Sequence, residues 1–124
     1  HKFFKAVLAD EPISIYGDGQ QTRDFTFVGD IVAANLAAAT LPEAVGEIFN
    51  IGGGSRMVLS QVLDTMSEIV GKPIQRNHIE KARGDARHIA ADISKAQKIL
   101  GYQPQVSLQE GLQQEWEWVK SLYL

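Results

Sequence analysis

The sequence predicts a mixed α/β fold in which a few short strands alternate with about five helices. Three observations carry that reading. Short apolar–polar alternations of strand period occur at Ile13–Tyr16, Thr22–Val28 and Glu47–Ile51. Longer segments around 59–70 and 108–119 place apolar residues at helical spacing. Glycine or proline punctuates nearly every junction between them.

In chain order, His1–Leu8 is an amphipathic helix that opens without an initiator methionine or a cap, so it reads as an internal start. Glu11-Pro12 breaks it, and Ile13–Tyr16 follows as a strand. Gly17-Asp18-Gly19 is a turn. The strand predicted over Thr22–Val28 puts Phe25 and Phe27 on one face, and Asp24 and Thr26 on the other. Ile31–Leu41, alanine-rich and apolar on nearly all sides, predicts a buried helix with Asp30 at its start, ended by Pro42. Glu47–Ile51 predicts a strand leading into the Gly52-Gly53-Gly54 loop. Leu59–Val70 is a helix closed by Gly71, and Ile74–Ile79 a strand. Asp92 caps a short helix that Gly101 ends. Ser107-Leu108-Gln109-Glu110 is a capping box opening a last helix whose stripe is Leu108, Leu112, Trp116 and Val119.

The 124 residues suit one compact unit, with 44% apolar and 22% charged side chains. A net charge of −3 argues against general nucleic-acid or anionic-membrane binding, both of which need a cationic footprint. The absence of cysteine excludes disulfides and thiolate metal sites and suits a cytoplasmic protein. No segment approaches the roughly 18–20 apolar residues that span a bilayer.

The chain lacks the Gly-x-Gly-x-x-Gly turn of a dinucleotide site, a nucleophile elbow and metal-spaced histidines, so no catalytic, cofactor-binding or metal-ligating residue is assigned. The triplet at 52–54 reads as a flexible connector, with a phosphate cradle as the sharper alternative. His78 and His88 read as ordinary surface or loop residues. Two segments stand out. In Ile15–Phe25 a tight turn delivers Arg23 into a strand beside aromatic residues, where its fork of donors suits phosphate oxygens. The plain alternative is a surface ion pair with Asp24 or Asp18. From Lys72 to His88, Lys72, Arg76, Lys81, Arg83 and Arg87 face only Glu80 and Asp85, either a solvated cationic face or an attractor of anions. Within it, Arg83-Gly84-Asp85 offers a cation for phosphate and a carboxylate for a sugar diol.

At these segments the sequence resembles the extended short-chain dehydrogenase/reductase family, in particular its nucleotide-sugar epimerases and dehydratases, with the UDP-glucose 4-epimerase type nearest. The similarity runs through Pro12–Gly19, Gln21–Phe25, Val28 and Asp30, then Phe49–Gly54, Gly84-Asp85, Ala91–Ala96, Leu100–Pro104 and Ser107-Leu108 with Gly111-Leu112. It implies that residues 1–124 form the substrate-binding C-terminal region of a two-lobed enzyme whose amino-terminal Rossmann lobe, absent here, holds NAD and the catalytic residues. The ligand would be a nucleotide sugar, most simply a UDP-sugar, and the full-length protein a cytoplasmic homodimer. By the same resemblance Tyr16 borders the base, Arg23 holds the diphosphate, and Arg83 with Asp85 holds phosphate and ribose hydroxyls. Relatives often place the second arginine where Ala82 stands, so Arg83 and Arg87 compete for that role. Val58 occupies a place where relatives often carry a capping Ser or Thr. A 4,6-dehydratase lobe, a non-catalytic nucleotide-sugar-binding module, and an interaction domain pairing through the apolar 31–41 helix are the competing readings.

Overall fold

The computed structural model describes residues 1–54, 56–80 and 84–124; Arg83 and Lys81 of the basic stretch lie outside the described residues. The elements run α1 (Lys2–Leu8), β1 (Ile13–Tyr16), β2 (Thr22–Asp24), α2 (Val28–Thr40), a 3-10 turn (Pro42–Ala44), β3 (Arg56–Val58), α3 (Leu59–Val70), β4 (Arg76–Ile79), α4 (Ser94–Leu100) and α5 (Leu108–Tyr123). Five helices with a few short strands is the predicted class.

The strands form two ribbons. β1 pairs in parallel with β4, Ile13 opposite Arg76 and Tyr16 opposite Ile79. β2 pairs antiparallel with β3, with Arg23 opposite Met57. Strand alternation sends Ile13 and Ile15 inward and leaves Ser14 and Tyr16 exposed. They meet Phe4 and Val7 of α1, Val62, Leu63 and Met66 of α3, and Leu112, Trp116 and Val119 of α5 in the main core. A second cluster of smaller side chains joins Ala34 of α2, Ala44, Ile93, Ala96, Leu100 and Tyr102.

Helix boundaries follow the local chemistry. Ser107 Oγ accepts the Glu110 N–H at 3.2 Å while the Glu110 carboxylate accepts the Ser107 N–H at 3.0 Å, completing the predicted capping box. The Ser107 hydroxyl, then its N–H, hold the Glu110 carboxyl below its ordinary range. Gly101 ends α4 in the left-handed region, φ 63°, where a side chain would be strained. Asp92 reaches α4 from one position further out than predicted, because Ile93 is the capping residue; its carboxylate accepts the Ser94 N–H at 3.0 Å. Val58 indeed gives α3 no side-chain cap. The N–H groups of Leu59 and Ser60 instead donate to the carbonyls of Gln21 and Gly19, both at 3.0 Å. The β1–β2 connection thus caps α3 with its backbone.

Four expectations are corrected. β2 stops at Asp24 rather than Val28, because the Asp24 carboxylate turns to the N–H groups of Gly53 (2.5 Å) and Ala91 (3.2 Å) and Phe27 becomes the cap of α2. Residues 47–51 form no strand: no described strand lies alongside, so Phe49 and Ile51 pack on the second cluster while Ile48 stays 84% exposed. β3, which no sequence pattern announces, forms because β2 offers it a partner. α2 starts at Val28 and is not buried all round; Asp30 and Ala34 are its buried residues, with Val28, Val32 and Leu36 exposed. Asp30 does not cap that helix. Its carboxylate accepts the N–H of Gln105 at 3.2 Å, tying α2 to the approach of α5.

Candidate functional site

The β1–β2 turn and the segment 84–91 face one another. Thr22 N–H donates to the Arg87 carbonyl at 2.9 Å and Ile89 N–H to the Thr22 carbonyl at 3.2 Å, so this segment lies along β2 like a further strand. A cleft of about 190 Å³ opens at the junction, lined by Tyr16, Gly17, Asp18, Gln21, Asp85 and Arg87. Tyr16, Asp85 and Arg87, three of the residues singled out from sequence, therefore share one cavity. Arg23 adjoins it through Asp85. Arg83 lies outside the described residues, and its place in the cleft is not described.

The cations of the cleft are held by carboxylates. Arg23 Nη2 is bonded to Asp85, while its Nη1 donates to the Thr22 carbonyl at 2.8 Å and, more weakly, to the Arg87 carbonyl at 3.4 Å. Neither Asp24 nor Asp18, the partners expected of a plain surface pair, holds Arg23. Asp18 pairs with Arg87 at 3.1 Å. The Gln20 N–H, then the Arg87 guanidinium, hold the Asp18 carboxyl below the usual carboxylate range.

Gln21 was not foreseen. The residue is 8% exposed, and its amide donates to the Tyr16 carbonyl at 3.0 Å, fixing the strand end that carries Tyr16. A polar residue between a turn and a strand gives no hydropathy signal for burial; only the closed ring of backbone bonds reveals it. The basic stretch is dispersed: Lys72 pairs with Asp10 at 2.9 Å and Arg76 with Asp64 at 2.6 Å. His78 Nδ1 donates to the Gly17 carbonyl at 2.8 Å, and His88 Nδ1 bonds the Thr22 hydroxyl at 2.9 Å, so the first imidazole ties β4 to the β1–β2 turn and the second ties segment 84–91 to β2.

The glycine triplet is no phosphate cradle. Gly53 N–H is taken by Asp24, and a β-carbon on Gly53 would sit 2.0 Å from the Phe25 carbonyl, one on Gly52 2.5 Å from the Asp24 carboxylate. These glycines allow close backbone approach and leave no space for a phosphate.

A larger groove of about 630 Å³ runs between Phe25–Val28 and the first turns of α5, with Leu108, Leu112 and Trp118 in its wall. Glu115 is the charged residue of its lining. It suits an apolar occupant, and its lining holds no cation for a phosphate, so the smaller cleft is the better candidate despite its size.

This arrangement of helices and paired strands recurs in solved epimerases of nucleotide sugars, to which the chain is similar. A UDP-glucuronic acid 4-epimerase from Bacillus cereus, solved with UDP-glucuronic acid and NAD, superposes with a TM-score of 0.94 at 38% identity, over 99% of this chain and 40% of that one. A UDP-glucose 4-epimerase from Thermotoga maritima, solved with UDP-glucose, gives 0.92 at 34% identity, over 99% and 39%. A UDP-glucuronate 4-epimerase of Thermodesulfobacterium geofontis is 36% identical over 120 residues, 96% of this chain and 36% of its own length. The family model described as GDP-mannose 4,6 dehydratase matches residues 2–115, and the chain belongs to that family. It spans about two fifths of the length of these relatives, corresponding to their C-terminal part.

Proposed function

We propose that the cleft between the β1–β2 turn and segment 84–91 binds the diphosphate of a nucleotide sugar, and that in the whole protein it presents a UDP-sugar for NAD-dependent 4-epimerisation. The observation that carries this is one cavity shared by Tyr16, Asp85 and Arg87, with Arg23 bonded to its wall through Asp85, 62 residues away in sequence. Arg23 holds the diphosphate, Tyr16 borders the base, and Asp85 accepts from ribose hydroxyls. Arg87 is the described candidate for the second phosphate ligand beside Arg83. NAD belongs to the part of the relatives that this chain does not span, and the exposed apolar face of α2 suits contact with that part. The cytoplasm and a homodimeric whole protein belong to the same reading.

In such a division of labour, this region contributes positioning. Holding the remote nucleotide fixes where the sugar sits, and that binding energy lowers the barrier at a reacting centre elsewhere. The 124 residues alone are expected to turn over no substrate. The dehydratase reading stays beside the epimerase one because the matching family model is itself described as a dehydratase.

Calorimetric titration with UDP and GDP tests the reading. Wild type is expected to bind UDP more tightly than GDP, and Arg23→Ala to weaken binding about 10- to 100-fold, the value of a charge-assisted hydrogen bond to phosphate. Equal binding by both proteins would remove Arg23 from the site.

A further inference from the structure

The two ion pairs of the cleft are built differently. Arg23 has two anchors besides its carboxylate partner, and the side chains of the Arg23–Asp85 pair are 26% and 25% exposed. The Asp18–Arg87 pair is 52% and 56% exposed on its arginine and aspartate sides, and a single hydrogen bond of 3.1 Å joins it. Exposed pairs of this kind are weak, so Arg87 can leave Asp18 at small cost.

Asp18 also has two separable duties. One carboxylate oxygen accepts the Gln20 N–H at 2.9 Å and closes the turn; the other receives Arg87. The first duty needs only an acceptor. The second needs a charge.

We infer that Asp18 is a built-in competitor of the ligand: it holds Arg87 at the cleft and yields it to the phosphate of a bound nucleoside diphosphate. This rests on the proposed diphosphate site. Breaking the Asp18–Arg87 pair is subtracted from the binding energy each time the ligand takes Arg87, which limits affinity and favours release. Asp18 is thus a positioning residue acting through Arg87, set against an Arg23 that stays fixed.

The substitution that separates the two duties is Asp18→Asn, whose amide oxygen keeps the turn while the charge disappears. UDP titration is expected to show binding about two- to five-fold tighter than wild type, the range that exposed ion pairs span. Arg87→Gln should weaken binding, and adding Asp18→Asn to it should give no gain, because the competitor then has nothing to hold. Asp18→Ser, which also closes the turn through its side-chain oxygen, should repeat the gain if Asp18→Asn folds poorly. A purely structural role for Asp18 predicts loss in every substitution. Unchanged or weaker binding in both folded turn-preserving variants, or a gain that persists with Arg87→Gln, would overturn the competitor role while leaving the diphosphate site standing. No UDP binding by wild type or any variant would remove the site and the competitor together.

Discussion

The two hydrophobic clusters differ in how completely the chain closes them. Around β1, α1, α3 and α5, large side chains (Phe4, Ile13, Ile15, Leu63 and Met66) are all less than 2% exposed. Around α2 and α4 the buried residues include three alanines, while Val28, Val32, Leu36, Val45 and Ile48 lie in solvent. The first region satisfies its hydrophobic pattern along β1 and α3, while the outer face of α5 leaves Trp118 and Leu122 exposed. The second carries a pattern that it does not satisfy from within, and the unformed strand at 47–51 belongs to this same side. Large exposed apolar faces of this kind mark contact surfaces. The cleft proposed for diphosphate is built on the closed side, between β1, β2 and the strap at 84–91.

Substitutions should separate the two regions, beginning with the largest effect. Leu63→Ala removes a fully buried side chain from the closed core and is expected to cost about 2–5 kcal/mol in urea unfolding. A loss below about 1 kcal/mol would mean that this core is not the stabilising one. Tyr102→Phe probes the second cluster, where the phenol donates to the Gly52 carbonyl at 2.7 Å; leaving that acceptor unpaired should cost about 1–3 kcal/mol. Burial, and then the charges of Asp30 and Asp24, raise the Tyr102 pKa above its ordinary 10.0. The folded state therefore keeps this proton after the unfolded chain has lost it. Its stability is full below about pH 10 and falls as pH rises beyond it, and Tyr102→Phe should lack that extra alkaline loss.

These effects bear on what sequence could reveal. Elements whose partners lie within the chain were legible: the alternation of Ile13 and Ile15, the helical stripe of α3, and the capping box of α5 each found the contact that their pattern called for. Residues 47–51 show the limit. A period of two specifies a face but no neighbour, and without a described neighbouring strand the alternation made none. The inverse case is β3, whose three residues carry little pattern and form a strand because β2 lies beside them. For the cleft, sequence pointed to Tyr16, Arg23, Asp85 and Arg87, but hid the pairing of Arg23 with Asp85 and of Asp18 with Arg87, since pairing across more than 60 residues depends on the strap lying along β2.

Smaller effects complete the series. Ser107→Ala removes one half of the capping box and is expected to cost about 1 kcal/mol, read from the thermal midpoint. Val32→Ser with Leu36→Ser, on the open side, should change unfolding free energy by no more than about 0.5 kcal/mol while lowering the mass seen in light scattering, because the exposed face predicts self-association. A loss of stability comparable to Leu63→Ala, with no change in mass, would show that this face is internally packed after all.

The central claim, that the cleft at the β1–β2 turn is where diphosphate binds, is tested most directly by following arginine side-chain Nε–H and tryptophan indole resonances while UDP is added. The account predicts that Arg23 and Arg87 shift together and saturate with a single affinity, while Trp118 in the apolar groove stays in place. Movement of Trp118 with both arginines unperturbed would contradict it.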